Sequence, residues 1–307
     1  MNRDLLGRWL DTALDRSVVG GYPRWGYALR RRLPGWPADP APGALAGRTA
    51  LVTGASSGLG IATSAAFARL GAAVHLVVRD TAKGARVAAG IDGDVRVSRC
   101  DVSDLDDVRR FTETAGAVDV LVHNAGVLPS GRTTTPQGHE TTLATHVLGP
   151  LLMTELLQPL ERVVFVSSGG MYAQRLPLAD PEYTEGTYRG AAAYARTKRI
   201  QVALLPLLAT RWPATVVAGT HPGWADTPGI AGSLPGFHRL TRPFLRDPDE
   251  GADTTAWVAA TRPTPASGLF WHDRRPRDPH LVPWTRHDEP TRTAMYEWCL
   301  RATGLRP

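Results

Sequence analysis

Tyr194 and Lys198 stand four positions apart in Tyr194-Ala195-Arg196-Thr197-Lys198. On a helix they share one face. A free phenol, with a pKa of about 10, is a poor general base at neutral pH. A fixed ammonium beside it favours the phenolate and is expected to lower that pKa; the same ammonium can hold a cofactor ribose. Lys198 is one of only two lysines, the other being Lys83, in a chain with 35 Lys and Arg. Where such a chain keeps Lys, a compact point charge is wanted rather than a planar fork. Val163-Val164-Phe165-Val166 runs as a buried strand into Ser167-Ser168-Gly169-Gly170. In parallel sheets ligands gather at the carboxyl ends of strands, so Ser168 is placed to hydrogen-bond a substrate carbonyl oxygen. Ser167 is the alternative, and either hydroxyl could serve only the turn's own backbone.

A second group of residues fits a dinucleotide. Thr53-Gly54-Ala55-Ser56-Ser57-Gly58-Leu59-Gly60 follows a strand and opens a helix. A pyrophosphate must approach the backbone amides at a helix N-terminus, and side chains would block it. Gly54, Ser56, Ser57, Gly58, Leu59 and Gly60 are therefore candidate cofactor ligands. The end of the next strand chooses between cofactors: an acid grips the ribose hydroxyls in NAD sites, and an Arg takes the phosphate in NADP sites. Here Arg79 comes first and Asp80 next. Arg79 reads as the partner of a 2′-phosphate with Asp80 as a helix cap, which favours NADP(H). The converse, with Asp80 on the ribose, gives NAD(H). Asp101-Val102 is placed to frame an adenine. Asn124-Ala125-Gly126 offers small residues that let the cofactor pass close to the backbone.

These residues need a scaffold, and the apolar pattern supplies one. Thr49–Val52, Ala73–Val78, Val95–Ser98, Val118–Leu121, Val163–Ser167 and Thr215–Gly219 read as short buried strands alternating with helical stretches such as Ala62–Leu70. That alternation predicts an α/β fold, a doubly wound parallel sheet with helices on both faces. It forms a single dinucleotide-binding domain over residues 48–307, preceded by an extension over 1–47. Leu5, Leu6, Trp9, Leu10, Ala13 and Leu14 recur at helical spacing. They predict an amphipathic helix over residues 3–19 that packs on the domain surface or makes a peripheral membrane contact. The Pro, Gly and Ala of 33–47 read as a linker.

Composition narrows the function classes. At 43% hydrophobic and 21% charged, the chain has the balance of a soluble globular protein. The net charge of +6 is concentrated at the two ends, with seven Arg against four Asp in residues 1–47. No aromatic-interleaved basic motif accompanies it, so nucleic acid is not an expected partner. Cys100 and Cys299 have no metal-type spacing and form no disulfide framework. With no signal-peptide pattern, a cytoplasmic location and no metal are expected; a homo-oligomer is left open.

Taken in order, Thr53–Gly60, Asn124–Gly126, Ser168, Tyr194 with Lys198, and Pro222-Gly223-Trp224-Ala225-Asp226-Thr227 resemble the classical short-chain dehydrogenase/reductase family from about Arg48 to Trp271. Val166–Met171, Tyr194–Lys198, His221–Pro228 and Leu234–Phe237 resemble the branch called dehydrogenase/reductase SDR family member twelve, which also has an N-terminal extension. The resemblance implies an oxidoreductase that interconverts a carbonyl and an alcohol. In it Tyr194 moves the hydroxyl proton, Lys198 lowers its pKa and binds the nicotinamide ribose, and Ser168 orients the substrate oxygen. It also implies that Pro222, Gly223, Trp224 and Thr227 line the nicotinamide end. A non-catalytic dinucleotide-binding sensor or scaffold of the same fold is the alternative; it would need the glycines but not the tyrosine.

One position departs from the family. His146, in Thr145-His146-Val147-Leu148-Gly149-Pro150, stands where an Asn is usual and is thought to support a proton-relay water. Imidazole both donates and accepts, so His146 either substitutes in the relay or is a packed helix histidine. On the substrate side, 172–193 and 226–247 read as flaps, and Trp224, Phe237, Phe244 and Phe270 as a candidate apolar pocket for a hydrophobic carbonyl or alcohol.

Overall fold

A computed structural model describes residues 3–227 and 235–306 of the chain. Eight strands form one sheet: β1 (Thr49–Thr53), β2 (Ala73–Val78), β3 (Val95–Arg99), β4 (Val120–His123), β5 (Arg162–Val166), β6 (Val216–His221), β7 (Leu269–His272) and β8 (Arg275–Pro276). Their order is β3-β2-β1-β4-β5-β6-β7-β8. All neighbours are parallel except β7 and β8. The doubly wound sheet expected from the alternating pattern is present, and six of its strands begin or end within two residues of the apolar runs. β1, β4, β5 and β6 are buried nearly throughout, as strands covered on both faces must be. The order reverses at β1, whose Thr49 and Ala50 pair with Ala73 on one side and Val120 on the other. The crevice beyond the carboxyl ends of β1 and β4 is therefore the switch point where ligands bind in such sheets.

The helices pack as two layers. They are α1 (Arg3–Arg16), α2 (Arg24–Arg30), α3 (Gly58–Arg69), α4 (Thr81–Ala88), α5 (Leu105–Thr114), α6 (Thr141–Leu143), α7 (Gly149–Leu156), α8 (Gly190–Arg211), α9 (Pro235–Thr241), α10 (Pro248–Ala260) and α11 (Glu289–Ala302). A π turn, Ala144–Leu148, joins α6 to α7. One apolar cluster gathers Leu121, Leu148, Phe165, Ile200 and Leu204, and the other, on the opposite side, gathers Val52, Phe67, Leu76, Val164 and Trp257. α10 starts with a capping box between Asp247 and Glu250, which satisfies two otherwise orphaned amides. Among the described residues, no helix is long and apolar enough to cross a membrane.

The N-terminal extension is tied to the domain by charge. Asp273 is fully buried in the tight turn between β7 and β8, where it and Arg274 both have positive φ. Arg30 and Arg246 each donate to its carboxylate at 2.6 Å. Burial alone would raise the Asp273 carboxyl, but Arg246, His272 and Arg30 outweigh it and hold it far below the carboxylate range. Arg246 also donates to the carbonyls of Gly21 and Tyr22. Arg277 grips Asp11 with two bonds of 2.8 and 2.9 Å, the bidentate geometry in which guanidinium pairing is strongest. The strap over 33–47 is held too: Trp257 donates to the Ala38 carbonyl and Arg274 to that of Pro37.

The polarity of α1 is opposite to what an amphipathic surface helix leads one to expect. Its buried face carries Asp11 and Asp15, whereas Trp9 and Leu10 are exposed, at 74% and 42%. The helix docks by ion pairs to Arg30 and Arg277 and turns apolar side chains outward. The side chains of Leu5 and Leu6 lie outside the described residues.

Candidate active site

A cavity of about 1080 Å³ opens at the carboxyl ends of β1, β2, β4, β5 and β6. Gly54, Ser56, Ser57, Gly58, Leu59, Arg79, Asp101, Val102, Asn124, Ala125, Gly126, Ser168, Tyr194, Lys198, Pro222, Gly223, Trp224 and Thr227 all line it. Of the candidate catalytic and cofactor-binding residues, Gly60 alone is not on its wall. A Cβ there would sit 2.5 Å from the Gly54 carbonyl oxygen and 2.7 Å from Asn124 Nδ2, so this glycine allows α3 to pack against the first turn and does not face a ligand.

The dinucleotide end has the form of a cradle. Gly54 has φ +66°, and a Cβ on it would meet Ala125 Cα at 2.7 Å. Both conformation and space demand glycine there. Ser57 is the N-cap of α3 in extended conformation, with no side-chain capping bond, so the helix start keeps donors for an anion. Asn124 uses its side-chain amide to hold the turn, donating to the carbonyls of Thr53 and Gly54. Asp80 Oδ1 accepts the Lys83 amide at 2.9 Å and caps α4. Lys83, which sequence reasoning noted only for its rarity, lines the cavity beside Arg79. Both lysines of the chain therefore face one cavity.

At the other end, Ser168 leaves β5 in extended conformation and its Oγ accepts the Gly170 amide at 3.3 Å. Its hydroxyl lies near enough to the Tyr194 phenol to favour the phenolate. Ser167 instead turns its hydroxyl toward the Lys198 carbonyl. Tyr194 and Lys198 lie on α8, as the spacing requires, with Lys198 Nζ 5.5 Å from the Tyr194 ring centre. Nζ donates to the Val166 carbonyl at 2.7 Å, and burial lowers the ammonium to about 7. The expected lowering of the Tyr194 phenol by Lys198 is not what the structure gives. Burial raises the phenol, with the nearby Ser168 hydroxyl opposing. Burial of Tyr194 sets the direction, and the same burial depresses the Lys198 ammonium that was expected to counter it.

The comparisons with known proteins agree with this arrangement. Residues 48–176 match the family described as short chain dehydrogenase. Dehydrogenase/reductase SDR family member 12 of Bos taurus is 38% identical over 76% of this chain and 79% of that protein. The chain belongs to the short-chain dehydrogenase/reductase family. Human retinol dehydrogenase 12 is 32% identical over 75% of this chain and 78% of its own length. A solved structure of an uncharacterized protein from Mycobacterium paratuberculosis is 30% identical, with a TM-score of 0.71, over 87% of this chain and 98% of that one. The 3-ketoacyl-(acyl-carrier-protein) reductase of Brucella melitensis, solved with NADH, is 28% identical with a TM-score of 0.61, over 74% of this chain and 96% of that one. Like other members, this short-chain dehydrogenase/reductase is an oxidoreductase acting on CH–OH groups with an NAD(P) dinucleotide.

Within this family member, His146 is buried and held by protein partners at both ring nitrogens. It lies buried in the π turn. Its Nε2 accepts the Val127 amide at 3.0 Å, so the ring proton is on Nδ1 and is donated to Thr197 Oγ1 at 2.7 Å. Thr197 in turn donates to the Tyr194 carbonyl. Burial holds the imidazole well below its ordinary pKa. Both ring nitrogens are committed to protein partners, and the His146 carbonyl accepts from Gln201 at 2.6 Å.

The apolar wall also differs from the sequence expectation. Trp224 lines the cavity, but Phe270 is buried within β7 and Phe244 meets Trp25 edge-on outside it. The Phe237 side chain, Pro228 and Leu234 lie outside the described residues. The wall is made instead by Val18, Tyr22, Leu128, Tyr172, Leu281 and Trp284. Val18 and Tyr22 come from the N-terminal extension and Leu281 and Trp284 from the segment before α11. No local sequence signal brings the two ends of a chain to one cavity; that is a product of the Arg30–Asp273–Arg246 anchor.

Proposed function

We propose that this protein is an NADP(H)-dependent oxidoreductase that interconverts a carbonyl and an alcohol on a small, largely hydrophobic substrate. Residues 48–307 are its catalytic unit, and residues 1–47 are an extension packed against it. The observation that carries the dinucleotide choice is the division of labour at the end of β2. Arg79, Asp80 and Lys83 are all on the cavity wall, but Asp80 Oδ1, which would otherwise be free for a ribose, accepts the Lys83 amide and caps α4. Two cations favour a 2′-phosphate. When bound, the dinucleotide supplies or takes the hydride at the substrate carbon. The amides from Gly54 to Leu59 would hold its pyrophosphate, Asp101 and Val102 would flank the adenine, and Asn124–Gly126 with Pro222, Gly223, Trp224 and Thr227 would receive the nicotinamide end. Tyr194 Oη gives its proton to the substrate oxygen in reduction and takes it back in oxidation. Ser168 Oγ donates to that oxygen and orients it. Lys198 spends one N–H on Val166 and keeps two for ribose hydroxyls; an anionic dinucleotide beside it favours the ammonium form. Fluorescence titration checks the choice: NADPH binds more tightly than NADH, and Arg79→Ala or Lys83→Ala weakens NADPH about tenfold with little change for NADH. Tighter NADH binding by the unaltered protein would overturn the assignment.

A second reading, on where the protein works, rests on α1. Its outward face carries Trp9 and Leu10, and Val19 and Trp25 are exposed nearby in sequence, within a segment rich in Arg. Apolar side chains with an excess of Arg suit the surface of an anionic bilayer. The protein is expected to co-sediment with phosphatidylserine/phosphatidylcholine vesicles at low salt, and the Trp9→Ser, Leu10→Ser double variant to remain in the supernatant. Equal behaviour of the two proteins removes this role from α1.

A further inference from the structure

His221 ends β6 and lines the cavity, yet no step above uses it. Its Nδ1 accepts the Gly223 amide at 2.7 Å, which places the ring proton on Nε2. Burial lowers the imidazole to about 3, so at physiological pH the ring is a neutral donor with a fixed tautomer. That Nε2 is buried and has no hydrogen-bond partner among the described residues. The ring is held in place: Tyr22 meets it edge-on at 4.5 Å and His272 lies 4.8 Å away. Nε2 faces Gly169, where a Cβ would sit 2.6 Å from it and 3.0 Å from Tyr22 Cε2. Only glycine at 169 lets the backbone lie this close to the donor, since any side chain would strike it. Folded proteins keep few buried donors unpaired, and each such group asks for a partner.

We infer that His221 is a specificity-determining donor for substrate, taking an oxygen atom a few bonds from the reacting carbonyl. Gly169 directly follows Ser168, and consecutive Cα atoms are about 3.8 Å apart. The donor thus faces the residue next to the one whose hydroxyl orients the reacting oxygen, and Tyr22 and Tyr172 line the same cavity. The preferred substrates are ketones with a second oxygen acceptor, such as β-keto esters, or the matching hydroxy esters, in preference to plain ketones of equal length. The inference rests on the carbonyl–alcohol reading and refines the substrate it assigns.

The test compares ethyl acetoacetate with methyl pentyl ketone, a pair of equal chain length. Both are titrated calorimetrically into the protein with NADP+, with NAD+ and with no dinucleotide, so no turnover is needed and a failure of cofactor binding is seen separately. The keto ester is expected to bind about tenfold more tightly to the unaltered protein. That ratio should fall to about one in His221→Phe and be largely restored in His221→Gln, which keeps both an acceptor for Gly223 and a donor. Because each ratio is internal to one protein, partial unfolding cancels. No preference in the unaltered protein, or an unchanged ratio in His221→Phe, overturns the inference. So does a variant whose only defect is weaker dinucleotide binding, since the donor then serves the cofactor.

Discussion

Tyr194→Phe is expected to lower kcat by about two to four orders of magnitude, the usual worth of a positioned general acid–base group, while dinucleotide binding is retained. The phenyl ring keeps the edge-on contact with His146 at 5.2 Å, so the fold of the site should persist. What disappears is the hydroxyl that faces Ser168 and the cavity. Ser168 and Lys198 remain, but neither replaces it: the first is an aliphatic hydroxyl, a far weaker acid than a phenol, and the second is bonded to the Val166 carbonyl. Stopped-flow reduction under single-turnover conditions separates a lost chemical step from slow product release. A variant as fast as the unaltered protein in that step would remove Tyr194 from the chemistry.

Asp273→Ala is expected to be the most destabilising single change. It leaves Arg30 and Arg246 buried without the carboxylate that pairs both, and breaking such a pair costs about 3–5 kcal/mol. Against a total stability of about 5–15 kcal/mol for a typical domain, that is a large loss, readable as a lower urea midpoint. The damage should begin at the extension, because Arg246 also holds the Gly21 and Tyr22 carbonyls. Early proteolytic cleavage within residues 1–47 is the local signature. The pH dependence follows from the depressed carboxyl. Its folded pKa lies below the unfolded value of about 4, so its stabilisation is complete above that value and is lost as pH falls toward the folded pKa. The gap between the two proteins should be flat through neutral pH and narrow only in acid. An unchanged midpoint at neutral pH would show that the network does not anchor the extension.

The parts of this molecule legible in its sequence are those fixed by local rules. Buried parallel strands announce themselves as short runs of Val, Leu and Ala, and β1 to β6 were readable for that reason. The Gly54–Gly60 turn and the Tyr194–Lys198 pair are local too, since a helix start and a helical repeat set their geometry. β7 escaped because it has four residues and little alternation. The environment of Tyr194 was misjudged because spacing shows which groups are near but not how dry the site is, and dryness decides the balance between charge and burial. The direction faced by α1 was hidden for a related reason. A stripe of Trp and Leu looks like a buried face until buried arginines elsewhere, Arg30 and Arg277, draw Asp11 and Asp15 inward. Tyr22 and His221 were missed because their meeting depends on the extension crossing to the carboxyl ends of β6 and β7, a contact between residues far apart in the chain.

The central claim is that this is an NADP(H)-dependent carbonyl–alcohol oxidoreductase, and steady-state oxidation of NADPH and NADH across a panel of apolar aldehydes, ketones and keto esters tests it most directly. The account predicts turnover with at least some of the panel, faster at limiting NADPH than at limiting NADH. Turnover that prefers NADH would contradict the roles given to Arg79 and Lys83, and dinucleotide binding without turnover of any panel member would contradict the carbonyl chemistry assigned to the cavity.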